Sequence, residues 1–376
     1  MSVRARRLAA CALSAILLLA GLTPTLATGA DPGHRSSWWV APGVRYSTWR
    51  FTSAAGEQVV HVVDVNPRRR GVTLGYRANP ELRMRAPTSR ILAGDKHAVA
   101  GTNGNYFDVH DTGAPLGVGR SRRRGALHAP TSGWNSAFYQ AADGKYRIGT
   151  VALTAAIRQY PTWPLTGLNV PHARPEAITM YTPAWGKACG RCVVDAPRTP
   201  VREVLVKDGV VRSNSATLMK GRTYAGLRLV GLGRGAQDLR TLAVGSALTA
   251  TYSLEPRPQM AVTGSQVLVS GSKVVASNDG VVAPRTAVGI DHRTGHVVLA
   301  TLDGRQQHAT GMSLRGWAQF LVGLGIDDAI NLDGGGSSTM VARGPDGGPL
   351  TVVNQPSLGH ERQVPDALVV DYTPPS

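Results

Sequence analysis

One run of ten residues, Asn331-Leu332-Asp333-Gly334-Gly335-Gly336-Ser337-Ser338-Thr339-Met340, constrains the fold of this chain more than any other stretch. Three glycines in a row give up backbone entropy and pack nothing. A folded chain gains from them only where φ must be positive or where another group approaches the backbone closely. Asp328 to Leu332 reads as a short buried strand, and Ser337 to Val341 starts another. The expected geometry is a turn at a strand end, with Asp333 and the backbone amides directed toward one point. A plain Gly-rich hairpin turn uses the same residue types, so the rest of the chain has to separate the two readings.

With 376 residues and 42% hydrophobic composition, the chain can bury one large or two ordinary cores. Residues 1–30 differ from the rest: Arg4, Arg6 and Arg7 precede the apolar run Leu13 to Leu22, and Thr28, Gly29 and Ala30 follow. This is the pattern of a secretory signal peptide, and its apolar run is short for a membrane span. The Arg6-Arg7 pair raises the twin-arginine route, but the residues after it fit that pattern poorly. A secreted, extracellular protein with no later transmembrane segment is expected, its body running over residues 31–376 with an inserted lobe at about 170–260 as one reading. Beyond the leader only Cys189 and Cys192 remain, and outside the cell they read as a loop-closing disulfide, with a redox pair as the sharper alternative.

The formal net charge of +17, about +14 without the leader arginines, points to polyanionic partners. The basic residues are scattered, with dense clusters only at Arg68-Arg69-Arg70 and around Arg120 to Arg124. Nucleic acid is therefore not the expected partner; a phosphate-rich envelope or an anionic polysaccharide fits better.

Along the chain, Gln58 to Val65 reads as a strand of nearly continuous apolar character and Gly71 to Tyr76 as its hairpin partner. Thr88 or Ser89 caps a short helix, and Ala98 to Thr102 is a buried strand leading into Asn103-Gly104-Asn105-Tyr106-Phe107-Asp108. Residues 116–254 offer short apolar runs broken by Gly and Pro, with Asp-Gly turns marking antiparallel hairpins. Pro284 to Asp291 and Val297 to Leu302 form another hairpin, after which Ser313 caps a helix with Leu314, Trp317, Leu321 and Leu324 on one face and Gly325 at its end. The fold class is α+β, β-rich, with mostly antiparallel or mixed sheets and a few packed helices.

Several of these segments, taken in order, resemble the phosphodiester glycosidase family: Asn103 to Phe107, Pro284 to Gly289, Leu302 to Gln306, the capped helix, Asn331 to Ser338, and Val353 to Ser357 with Glu361-Arg362. The similarity covers most of residues 40–372. It implies a hydrolase that cleaves the glycosidic bond of sugar-1-phosphodiesters, N-acetylglucosamine-1-phosphate links among them.

Such a reaction builds positive charge at the anomeric carbon and negative charge on the departing phosphate, so it needs carboxylates and guanidinium groups together. Asp333 and Glu361 are the expected acid/base or nucleophile pair, with Asp303 next. Arg285, Arg305 and Arg362 are the expected phosphate ligands. Asn103 and Asn331 are placed on sugar hydroxyls, Gly334, Gly335 and Gly336 are expected to present amides to an oxyanion, and Ser337 and Thr286 complete the binding set. Asp303, Asp333 and Asn331 are also hard oxygen donors suited to Ca²⁺ or Mg²⁺, although none has the spacing of a Ca²⁺ loop, and no cofactor is assigned. Rival readings are a non-catalytic protein that binds phosphate-rich envelope polysaccharide and a factor in exopolysaccharide assembly.

Overall fold

The computed structural model describes residues 35–196 and 198–375, so the expected signal peptide lies outside the described residues. Two antiparallel sheets face each other. In the first, Arg35–Ala41, Val44–Ser53, Gly56–Val65, His296–Leu302, Arg285–Asp291, Asp328–Leu332, Gln266–Ser270 and Lys273–Val274 lie side by side in that order. In the second the order is Leu350–Val352, Met340–Arg343, Ala98–Asn103, Asp366–Tyr372 and Val72–Ala78.

Alternation along each strand sends side chains to opposite faces. Val63, Val288, Leu299 and Ile330 from the first sheet meet Leu74, Ala100, Met340 and Leu368 from the second in one buried cluster. The outer faces are covered as well. Helix Leu314–Gly323 lays Trp317, Ala318 and Leu321 over Val60, Val62, Ala287 and Ala300. Helix Thr88–Ala93 lays Ile91 and Leu92 over Ala98, Ala367 and Val369. Covering both faces explains why strands such as Gly56–Val65 read as continuous apolar runs rather than alternating ones.

A third sheet of ten strands, drawn from Gly119 to Thr263, carries its own buried cluster and contains the parallel pair Leu165–Leu168 and Ile178–Tyr181. Beside it, in a separate cluster with Tyr181, Trp185 and Val193, Cys189 and Cys192 are joined by a disulfide around the turn Gly190–Val193. The β-rich, mostly antiparallel class expected from the sequence is the one found.

Two expectations change. Gly71 to Tyr76 does not pair with the strand before it, because both edges of Gly56–Val65 are taken by Val44–Ser53 and His296–Leu302. The chain instead crosses to the second sheet, where Val72–Ala78 pairs with Asp366–Tyr372. The glycine-rich run is not a hairpin turn either. Asp328–Leu332 belongs to the first sheet and Met340–Arg343 to the second, so Asp333 to Thr339 is the crossing between the layers. A hairpin turn needs only two strands, whereas this crossing must be held by both sheets.

Candidate active site

The crossing is stapled from the second sheet by Asn103, which is completely buried. Its Nδ2 donates to the Asp333 carbonyl at 2.7 Å, and its Oδ1 accepts from the Thr339 amide at 3.1 Å and the Thr286 hydroxyl at 3.1 Å. One side chain thus grips both ends of the turn. Asn354 adds a second staple, accepting from the Met340 amide at 2.8 Å and donating to the Ser338 carbonyl at 3.2 Å. The glycines then have protein-side reasons. Gly335 has φ +60, and a Cβ on Gly336 would sit 2.7 Å from Nη2 of Arg362. The close approach is made by a guanidinium of the chain itself.

Asp333 is 8% exposed at the start of this turn. Its amide donates to the Gly104 carbonyl at 3.1 Å. Burial pushes its carboxyl up to about 7, against the opposing pull of the Ser337 hydroxyl, the Arg362 charge and the Gly334 amide. Arg362 lies against Gly336 and reaches the Ser337 hydroxyl at 3.4 Å. Arg305, itself at φ 60, brings Nη1 to 3.5 Å from where a Cβ on Gly335 would be. Among the described residues neither guanidinium forms an ion pair. Two cationic groups therefore flank the glycines that follow the buried carboxyl, and the Arg362 charge acts on the carboxyl itself.

The other charged candidates are engaged elsewhere. Arg285 donates to Asp279 at 2.7 Å, to the Val281 carbonyl at 2.5 Å and to the Met312 carbonyl at 3.0 Å, so it anchors the loop before its own strand rather than facing the turn as a free phosphate ligand. Glu361 accepts from the Ser89 amide at 2.9 Å and the Ser89 hydroxyl at 2.5 Å. It supplies the helix cap expected from Thr88 or Ser89, and fixes the segment from which Arg362 projects. Its carboxylate is not gathered with that of Asp333 as an acid/base pair.

Asp303 accepts from Asn354 Nδ2 at 3.0 Å and from the Gln355 amide at 3.1 Å, and pairs with His61 Nε2 at 3.2 Å. It organises the loop behind the staple. The chain continues through His61, whose Nε2 faces Asp303 and whose Nδ1 lies 2.6 Å from the Tyr46 hydroxyl.

The polar ligands expected for the sugar are also reassigned. Asn103 and Thr286 are occupied with each other and with the turn. Among the glycine amides, that of Gly335 donates to the Pro284 carbonyl at 2.9 Å and that of Gly334 turns back on Asp333, so three converging donors are not presented. Asn331 donates to the Tyr106 hydroxyl at 2.7 Å and to Ser265 Oγ at 3.0 Å, leaving its buried Oδ1 without a partner among the described residues. No group of three His, Cys, Asp or Glu side chains is gathered among the described residues as a metal centre.

Asp366, which carried no motif in the sequence, lies beside this site. It is fully buried, accepts from the Asn105 amide at 2.8 Å, and its backbone carbonyl receives the Gly104 amide at 3.2 Å. Burial pushes its carboxyl up to about 7 as well. The Tyr76 hydroxyl sits 3.0 Å from Asp366 Oδ2 and 2.6 Å from His128 Nε2, while His128 Nδ1 is 2.6 Å from the Gly117 carbonyl. One hydroxyl proton cannot serve two acceptors. A protonated Asp366 resolves this by donating to Tyr76, which donates to a neutral His128 whose pKa burial lowers to about 4.

Cavities of about 640 and 660 Å³ lie elsewhere, one around the disulfide and one between Trp39 and Pro374, and neither is lined by these residues.

Comparison with known proteins agrees with the motif order. The phosphodiester glycosidase family model matches residues 188–371. N-acetylglucosamine-1-phosphodiester alpha-N-acetylglucosaminidase of Bos taurus is 50% identical over 60 residues, 16% of this chain and 11% of that protein. The Homo sapiens enzyme of the same name is 48% identical over 60 residues, with the same shares covered. The matched stretch thus spans about a tenth of the length of these curated relatives. For the fold, a hypothetical protein from Synechocystis superposes with TM-score 0.73 at 22% identity, covering 91% of this chain and 64% of that one. A Burkholderia pseudomallei K96243 protein described as exported gives TM-score 0.71 at 19% identity, covering 91% and 96%. The matched residues include Asp303, Arg305, Asp333, Glu361 and Arg362 but not the staple Asn103, so over 188–371 the chain is similar to the phosphodiester glycosidase family.

Proposed function

We propose that this protein hydrolyses the glycosidic bond of glycosyl phosphodiesters, with Asp333 activating water and Arg305 and Arg362 holding the phosphate. The observation that carries this reading is one glycine turn that starts at a buried carboxyl and has two guanidiniums packed against it, neither with an acidic partner among the described residues. Arginine forks match phosphate oxygens, and a turn crossing two covered sheets is rigid enough to keep them aligned.

In this scheme Asp333, ionised, takes a proton from water as the water oxygen bonds to the anomeric carbon. The bond from that carbon to the phosphate oxygen breaks, and its electron pair leaves with the phosphomonoester. Phosphate departs as a stabilised anion beside two guanidiniums, so a second carboxyl acting as general acid is not needed. That fits Asp303 and Glu361 being engaged in hydrogen bonds. One base and no covalent partner gives inversion at the anomeric carbon.

The expected leader, the disulfide and the strongly basic charge support secretion and a substrate in envelope or extracellular polysaccharide. The test is to incubate the purified protein with α-N-acetylglucosamine 1-(methyl phosphate) and with phosphodiester-linked envelope polymers, and to follow free sugar by NMR. Sugar released first as the β-anomer supports the scheme. Release of the α-anomer first would replace water activation by a covalent intermediate, and binding without release would favour the non-catalytic reading.

A further inference from the structure

The turn between strands Gly125–Pro130 and Ser136–Gln140 carries two successive residues in the left-handed region, Gly133 at φ 73 and Trp134 at φ 51. A bulky residue adopts this conformation only when its surroundings hold it there. Here the hold is specific. The Thr263 hydroxyl, which accepts from the Val118 amide at 2.6 Å, lies 3.3 Å from both the Trp134 and the Val118 carbonyls, and the Thr263 amide donates to Asn105 Oδ1 at 3.0 Å. Asn105 belongs to the same loop as Gly104, on which Asp333 is docked.

Held this way, Trp134 remains 40% exposed while its ring packs on Tyr106, with centroids 5.3 Å apart and planes tilted by 40°. Tyr106 is in turn tied to Asn331, two residues before Asp333, and its pKa is raised by burial first and by the Asp333 charge to a lesser degree. An exposed indole backed by a second aromatic, which is itself bonded to Asn331, offers an apolar face on the side of the strand that leads into Asp333.

We propose that Trp134 is a specificity-determining residue that stacks on the apolar face of the glycosyl ring, while the phosphate is held separately at Arg305 and Arg362. This rests on the glycosyl phosphodiester reading and names the part of the site that would recognise the sugar. Stacking on an amphipathic ring suits tryptophan, which combines a large rigid face with little conformational entropy to lose.

The experiment is calorimetric titration of the full chain with α-N-acetylglucosamine 1-(methyl phosphate) and, separately, inorganic phosphate. Wild type is compared with Trp134→Ala, Trp134→Phe and, as a control at a distant exposed indole, Trp39→Ala. For the diester, Kd should rise on the order of tenfold in Trp134→Ala and by about threefold or less in Trp134→Phe. Phosphate binding should be unchanged throughout, and Trp39→Ala should match wild type. An unchanged diester Kd in Trp134→Ala, a parallel loss of phosphate binding, or no diester binding by wild type overturns the platform. Free sugar is measured in the same samples. Trp134-dependent binding without release removes the glycosidase reading but keeps the platform, whereas release with unchanged Kd and KM does the reverse.

Discussion

Asp333 and Asp366 are buried carboxyls separated by little more than Gly104, and both are pushed up to about 7 by desolvation. What surrounds them differs. Asp366 is enclosed by Asn105, Tyr76 and His128, a chain in which a proton on the carboxyl satisfies every partner. Asp333 faces a turn flanked by two arginines with no acidic partners, where a negative group remains to be supplied. A raised pKa therefore does not by itself distinguish a structural acid from a reactive one. The unmet charge around it does.

The sharpest way to break this comparison is to make the same substitution at both positions. Asp333→Asn should lower kcat on the order of 10³-fold, as removal of a general base does, while the protein stays folded. Asp366→Asn mimics the neutral acid already in place and should leave kcat within about threefold, with a stability loss of roughly 1 kcal/mol from the donor facing Asn105. Equal losses of activity would dissolve the distinction.

Arg305→Ala and Arg362→Ala should each lower kcat/KM by roughly 10- to 100-fold, because each removes a charge-assisted contact to phosphate. Arg285→Ala should act mainly through stability, since its guanidinium serves Asp279 and two carbonyls. Thermal melts alongside kinetics separate the two patterns.

The pH dependence has a defined sign. Asp333 works ionised, so kcat/KM should rise about tenfold per pH unit up to about 7 and then level off. The same raised pKa gives the opposite trend in stability. Below its unfolded value near 3.8 the proton is held in both states; between there and about 7 the folded state alone holds it, and stability is lost as pH rises. Asp333→Asn should therefore gain on wild type by at most about 1.4 kcal/mol per pH unit across that window, read from denaturant midpoints.

Glu361→Gln gives the smallest effect. Loss of the charged cap on Ser89 should cost about 1 kcal/mol and lower kcat/KM only a few-fold, through Arg362. A loss as large as that of Asp333→Asn would restore Glu361 to the chemistry.

The fold was legible where one element dictates its own shape. The capped helix appears as expected, with Ser313 accepting from the Gly316 amide at 3.2 Å, and the hairpin Arg285–Asp291 with His296–Leu302 is in continuous register. The glycine run was legible as a special turn, but not as a crossing between sheets, because which sheet Met340 joins depends on Ala98–Asn103 more than two hundred residues earlier. Arg285 looked like Arg305 and Arg362 in the sequence. Its partner Asp279 is only six residues away, yet no motif marks that pair. His61, Tyr76, His128 and Asp366 sit singly on strands, and only tertiary pairing turns them into networks. Trp134 could have been singled out by its Gly133-Trp134 turn in a loop, though nothing local ties it to Asp333.

Sugar release by wild type and Asp333→Asn, followed by NMR at pH 8 on α-N-acetylglucosamine 1-(methyl phosphate), tests the central claim most directly. The arrangement around Asp333 predicts β-anomer and methyl phosphate appearing together with wild type, and neither at a comparable rate with the folded variant. Full-rate release by Asp333→Asn, or no release by wild type while it still binds the diester, would contradict it.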